Sequence, residues 1–279
     1  MTYKTILVHL DDSKQIDRRI DAATELAVAC DAHLVGVFVP PPVYVPAFPE
    51  ASVRDLILER RRQEDERAGK AVLGRFDDVA HKAGLSGVEG RIASGEPREA
   101  LTLHSRYADL VVMGQAEDGT PGARDAVLLA EDVILTCGRP VLMVPYIGLQ
   151  EPVGRRILIA WDASREATRA VTDSLPLLER ANKVTVVTVD ARPSEQGHGD
   201  LPGADLALFL SRHGINVEAV HVSSGGIGVG ETLLNQASDR DGDLIVMGCY
   251  AHSRMRELVL GGATRTLLHS MPVPLLMSH

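Results

Sequence analysis

Short, nearly unbroken aliphatic runs such as TILVHL, DLVVMG, KVTVVTV and DLIVMG alternate along the chain with longer segments whose apolar residues recur every three or four positions. The first kind of run suits a strand covered on both faces, and the second an amphipathic helix. On this pattern strands fall at 5–10, 33–39, 88–93, 109–113 and 141–144, then at 157–161, 184–189, 216–222, 244–247 and 274–277. Helices fall between them at 17–30, 52–83, 98–107 and 124–136, then at 165–180, 204–213, 231–239 and 262–270. Five strands alternating with helices predict an α/β, doubly wound parallel sheet with helices on both faces, and here the series occurs twice.

The two series share sequence as well as order. TILVHLDDS, from Thr5, matches RILIAWDAS, from Arg156, and pairs Ile6 with Ile157, Asp11 with Asp162 and Ser13 with Ser164. ADLVVMG, ending at Gly114, matches GDLIVMG, ending at Gly248, and each is followed by a helical stretch and a Pro-Val strand. Three blocks in one order indicate an internal duplication. The expected domains are 1–147 and 154–279, divided by the Gly- and Pro-containing linker YIGLQEPVGR. The hydrophobic fifth strands, VLMV and PLLM, are sheet edges that invite pairing, either between two chains as a homodimer or between the two halves as an intramolecular pseudo-dimer.

Composition narrows the partners. With 38 acidic against 29 basic residues the chain carries a net charge of −9, which argues against nucleic acid or an anionic membrane as the main partner. Aromatic residues, 4% of the chain, are too scarce for a base-stacking platform. Three dispersed cysteines, without a CxxC pair, argue against a disulfide framework or a structural zinc and for a reducing compartment. Acidic residues follow the first apolar run at once and no run approaches the length of a membrane span, so the expected location is the cytoplasm. The ERRRQEDER run at 59–67 reads as a solvated helix face.

Ligands of open α/β sheets sit beyond the carboxyl ends of the strands. In the second half Asp162 directly follows the first strand, and a long loop, GCYAHSRMRELVLGG, follows the fourth. Its glycines permit close backbone approach, Arg254, Arg256 and Arg265 bring positive charge, and Thr264 and Thr266 bring hydroxyls to the helix that follows. That combination points to a phosphate-bearing ligand. Asp162 has an ordinary alternative as a loop acid beside the capping Ser164.

Two tandem five-stranded units, each with an acid after strand one and Met-Gly ending strand four, resemble the universal stress protein family over essentially the whole chain. The resemblance implies a Rossmann-like or flavodoxin-like sheet of order 3-2-1-4-5 in each half. It also brings the pattern G-x2-G-x9-G-[ST], whose spacing holds at Gly248, Ala251, Gly261 and Gly262, with Ala251 in place of the second glycine and Gly262 in place of the hydroxyl residue. By the resemblance Asp162 meets the adenosine, the backbone near Val189 reads the adenine edge, and Met247 and Gly248 flank the sugar. Gly261, Gly262, Ala263 and Thr264 then hold phosphates, beside Arg254.

The first half departs from this pattern. The glycines after Gly114 are Gly119 and Gly122, Val127 stands at the position matching Gly261, and Glu117 and Asp118 replace the arginines with charges that repel phosphate. Its nucleotide loop is degenerate. SSGGIGVGE, from Ser223, imitates a dinucleotide fingerprint but ends on Glu231 and follows a third strand, so it reads as a turn. Neither a nucleophile elbow nor a metal-ligand cluster stands out, Cys249 reads as an inert buried thiol, and no catalytic residue is assigned. The expected function is a cytosolic stress-response or signalling protein, not an enzyme, that binds an adenine nucleotide, ATP with or without magnesium, in its second half and acts on unidentified protein partners. A nucleotide-free scaffold and a nucleotide-dependent hydrolase or transferase stay open as alternatives.

Overall fold

A computed structural model describes residues 2–41, 51–120, 122–149, 152–191, 201–249 and 262–279. The first half runs β1 (Thr5–Leu10), α1 (Ile16–Cys30), β2 (His33–Phe38), α2 (Ala51–Lys82), β3 (Val88–Ile92), α3 (Pro97–Ser105), β4 (Leu110–Gly114), α4 (Ala123–Thr136) and β5 (Val141–Val144). The second runs β6 (Arg156–Ala160), α5 (Arg165–Leu178), β7 (Lys183–Val189), α6 (Ala204–Arg212), β8 (Val217–Val222), α7 (Val229–Asp239), β9 (Leu244–Gly248), α8 (Gly262–Ser270) and β10 (Leu275–Ser278). Every strand and helix expected from the hydrophobic pattern is present, displaced by no more than two residues at either end.

All ten strands form one sheet of order β3-β2-β1-β4-β5-β10-β9-β6-β7-β8. Each half contributes the order 3-2-1-4-5, and the two orders meet head to head at their fifth strands. Neighbours are parallel within each half, and the single antiparallel pair is β5 with β10, in register Met143 with Leu275, Leu142 with Leu276 and Val141 with Met277. The hydrophobic edges are therefore paired inside one chain, and all eight residues of the two strands are buried. Closing these edges removes two exposed ladders that would otherwise recruit another strand.

Both faces of the sheet are covered by continuous apolar layers that cross the seam. One joins Ile6, Val8, Leu26 and Phe76 to Ile159, Ala170 and Leu178. The other joins Leu101, Val133 and Met143 to Leu267, Leu275 and Met277. Polar bonds also span the halves: the Tyr3 hydroxyl donates to the Asp173 carbonyl at 2.8 Å, and Arg169 donates to the Gly138 carbonyl at 2.9 Å. Burial beside Cys30 and Asp173 pushes the Tyr3 phenol far above its ordinary value, so it remains a neutral donor.

The outer strands differ from the expectation of two-sided burial. β3 (VEGRI) and β8 (VEAVHV) bury no residue fully, because each is a true edge of the ten-stranded sheet. Their Glu, Arg and His side chains face water and discourage further pairing. α2 divides in two. Its amino-terminal half lies exposed with Arg60–Glu64, Arg61–Asp65 and Lys70–Glu66 pairs along its own surface, while Val72, Phe76 and Ala80 pack into the core. Among the described residues no helix is long and apolar enough to cross a membrane.

Candidate functional site

Strand order sets the geometry. β6 lies between β9 and β7, with Ala160 opposite Met247 on one side and Val187 on the other. The chain leaving β6 therefore carries Asp162 out beside the end of β9 and within two residues of the end of β7 at Val189. α8 connects two parallel neighbours, β9 and β10, and must run back along them. Its first turn, Gly262, Ala263 and Thr264, thus lies at the carboxyl end of the sheet, where helix N–H groups and the positive dipole end are available to an anion.

Locally, Asp162 folds its own loop. Its Oδ1 accepts the Ser164 amide at 3.0 Å, and Ala163 takes a left-handed φ of 59° to make the turn. Ser164 then caps α5, its hydroxyl accepting the Ala167 amide at 3.1 Å. The Asp162 side chain is nevertheless exposed, so the ordinary role as a loop acid and a ligand-facing role coexist in one carboxylate. Gly248 joins this loop to β9. A Cβ there would lie 2.3 Å from the Ala167 nitrogen and 2.5 Å from the Glu166 carbonyl carbon, so only glycine lets the end of β9 touch the first turn of α5. Beneath it Glu166 is buried and paired with Arg165 at 3.0 Å.

The remaining expected residues are placed as follows. Val189 ends β7 half-buried, Met247 is buried within β9, and Thr264 is 4% exposed. Gly262 is exposed, and a Cβ on it would meet nothing within 4 Å. Ala251, Arg254 and Gly261 lie outside the described residues. Cys249 is fully buried, and burial raises its thiol far above the ordinary value, in keeping with an inert side chain. No group of three or more His, Cys, Asp or Glu able to hold a metal occurs among the described residues.

The first half presents a different picture at the same place. Arg19, on α1, reaches Asp11 with Nη1 3.0 Å from Oδ2 and also donates to the His9 carbonyl at 2.8 Å. Burial alone would raise the Asp11 carboxyl, but Arg19, His9 and the Ser13 amide outweigh it and hold the acid ionised below the usual carboxylate range. His9 is pushed down to about 4, first by burial and then by the guanidinium, against the pull of Asp11. Gln115, the residue after Gly114, turns to the other half: its Nε2 donates to the carbonyls of Leu268 and His269 at 3.0 and 2.9 Å, and its Oε1 accepts the Tyr146 amide. Sequence reasoning missed both Arg19 and Gln115. The one signal for Arg19 was its position opposite Ala170 in the duplicated alignment, where the helix face is apolar.

A cavity of about 220 Å³ opens elsewhere, at the amino ends of β1 and β2 around Thr5, His33, Glu89, Arg91 and His104. Glu89 and Arg91 neutralise each other there through bonds of 2.7 and 2.9 Å. It lies away from the strand ends that carry Asp162 and Gly248.

Two copies of a 3-2-1-4-5 parallel unit, each with an acid leaving strand one and a glycine ending strand four, define a tandem Rossmann-like protein with candidate sites at its carboxyl strand ends. The sequence profile described as the Universal stress protein family matches residues 2–145 and 154–279, and the chain belongs to that family. A similar curated protein is the universal stress protein Slr1230 of Synechocystis, 24% identical over 218 residues, covering 74% of this chain and 70% of the relative. The fold is shared with a universal stress protein from Archaeoglobus fulgidus at a TM-score of 0.75 and 16% identity, covering 98% and 95% of the two chains. A Pseudomonas aeruginosa protein described as a putative universal stress protein aligns over 99% and 93% at a TM-score of 0.57 and 13% identity.

Proposed function

We propose that the second half binds an adenine nucleotide, ATP by preference, and that the protein is a cytoplasmic binding module in which nucleotide occupancy alters contacts with protein partners. The observation that carries this reading is the exposed Asp162 carboxylate beside Gly248, at a strand end that also receives the first turn of α8. Asp162 would accept hydroxyls of the sugar, and the backbone after Val189 is a neighbouring ladder end suited to a base edge. The first-turn N–H groups of α8 and the Thr264 hydroxyl would meet phosphate, with the arginines of the preceding loop, Arg254 among them, adding charge. The chain's own residues bind and orient. The proposal assigns no catalytic residue. Magnesium, where present, would arrive with the phosphates of the nucleotide and not on a protein cluster.

Calorimetric titration with ATP tests the reading, comparing the wild type with Asp162→Ala and Gly261→Val. Saturable binding in the wild type that weakens about tenfold or more in each variant is expected: Asp162→Ala removes a charged acceptor worth about 1.5–3 kcal/mol, and Gly261→Val puts a branched side chain where the pattern has a glycine that lets backbone approach the phosphates. Absence of heat and of thermal stabilisation at millimolar ATP favours the nucleotide-free scaffold, and sustained turnover favours the hydrolase or transferase.

A further inference from the structure

The two halves differ most sharply around the glycine that ends strand four. In the second half Gly248 touches the backbone of α5 directly, and the position matching Arg19 is Ala170, fully buried. In the first half the atoms nearest the matching glycine belong instead to a guanidinium. A Cβ on Gly114 would lie 2.4 Å from Arg19 Nη2, 2.6 Å from Nε and 2.7 Å from Cζ, so the Arg19 head lies flat against the glycine. Arg19 is 5% exposed, and its Nη1 joins the Asp11 carboxylate, the His9 carbonyl and, at 3.3 Å, His9 Nδ1. Its buried Nε has no hydrogen-bond partner among the described residues.

A buried guanidinium with one carboxylate to balance it cannot give that carboxylate up cheaply, because the charge left behind would be unpaired in the interior. Asp11 matches Asp162 and is the only acid in this position of the first half. A ligand hydroxyl seeking Asp11 would have to displace Arg19, and its phosphates would then meet Glu117 and Asp118. We propose that Arg19 is a permanent internal substitute for a ligand in the first half, a specificity-determining residue that closes this half to nucleosides and leaves the chain one nucleotide site instead of two. The count of one rests on the second-half reading above; the closure rests on the contacts of Arg19 alone.

Three measurements on the full chain keep these apart. Equilibrium dialysis of the wild type with ATP should saturate at one nucleotide per chain. Two per chain overturns the closure, and none counts against the second-half reading while the other measurements decide the closure. Arg19→Ala removes the substitute and leaves a guanidinium-sized space beside Asp11, so its Tm should fall by roughly 10 °C. Millimolar methylguanidinium should restore at least half of that fall, where sodium chloride at equal ionic strength does not. An unchanged Tm, or no selective recovery, overturns the proposal. If Arg19→Ala does not fold, NMR of the wild-type Arg19 Nε–H decides: a guanidinium lodged against Gly114 keeps this proton slow to exchange and unmoved by millimolar ATP, and rapid exchange or an ATP-induced shift overturns the proposal.

Discussion

Gly248→Ala places one methyl group where the fold has no space for it. The new Cβ would stand 2.3 Å from the Ala167 nitrogen, 2.5 Å from the Glu166 carbonyl carbon and 2.8 Å from the Ala167 α-carbon, all of them backbone atoms. No rotamer change relieves such contacts, so α5 must move off β9 by about an ångström, against the anchoring of Ala170, Val171, Leu177 and Leu178 in the core. Overpacking of this kind costs about 1–3 kcal/mol, and a rigid backbone neighbour sets the upper end, about 3 kcal/mol. Urea unfolding should show the loss as a lower midpoint at unchanged slope, and thermal unfolding as a fall of roughly 5 °C. Gly262→Ala is the matched control, because its Cβ meets nothing within 4 Å. ATP affinity should fall with Gly248→Ala as well, since the Asp162 loop leads into the displaced turn. A Gly248→Ala protein within about 0.5 kcal/mol of the wild type would refute the close approach of α5 to β9.

Two further outcomes follow from named contacts. Gln115→Leu leaves two carbonyls at the end of α8 without their donor and the Tyr146 amide without its acceptor, and should destabilise the protein by about 1–3 kcal/mol in chemical denaturation. Acid should weaken the first half in a defined window: with His9 lowered from 6.5 to about 4, its contribution is fully present above about pH 6.5 and is lost as pH falls toward 4, a change of about 3 kcal/mol. Asp11, also depressed, keeps its contribution until pH drops below the ordinary carboxylate range. His9→Gln should flatten the stability profile between pH 7 and 4, and an unflattened profile would remove His9 as the cause.

Much of the fold was legible because a doubly wound sheet writes itself as continuous apolar runs, and because the duplication repeats the same blocks. That the two hydrophobic fifth strands would be covered was legible, whereas the choice of pairing inside one chain, β5 with β10, came only from the structure. β3 and β8 were harder to read, since an edge strand has water on its flank and admits Glu, Arg and His. Asp162, Gly248 and the start of α8 were legible from spacing, while the contact of Gly248 with Ala167 depends on how closely a helix approaches a strand. Arg19 was illegible as a functional residue. In sequence it is one of two adjacent arginines on a helix, and only the tertiary fold reveals that Arg18 faces outward while Arg19 turns inward to Asp11. Gln115 likewise acquires meaning only once the seam between the halves brings α8 beside it.

Under the proposal a nucleotide occupies the second half and not the first. Photolabelling of the intact chain with 8-azido-ATP, followed by mass-spectrometric mapping of the labelled peptides, tests it most directly. Label is expected only on peptides around Asp162, Val189 and Gly248, and excess ATP should suppress it. Label on peptides around Asp11 or Gly114, or label that ATP does not displace, would contradict it.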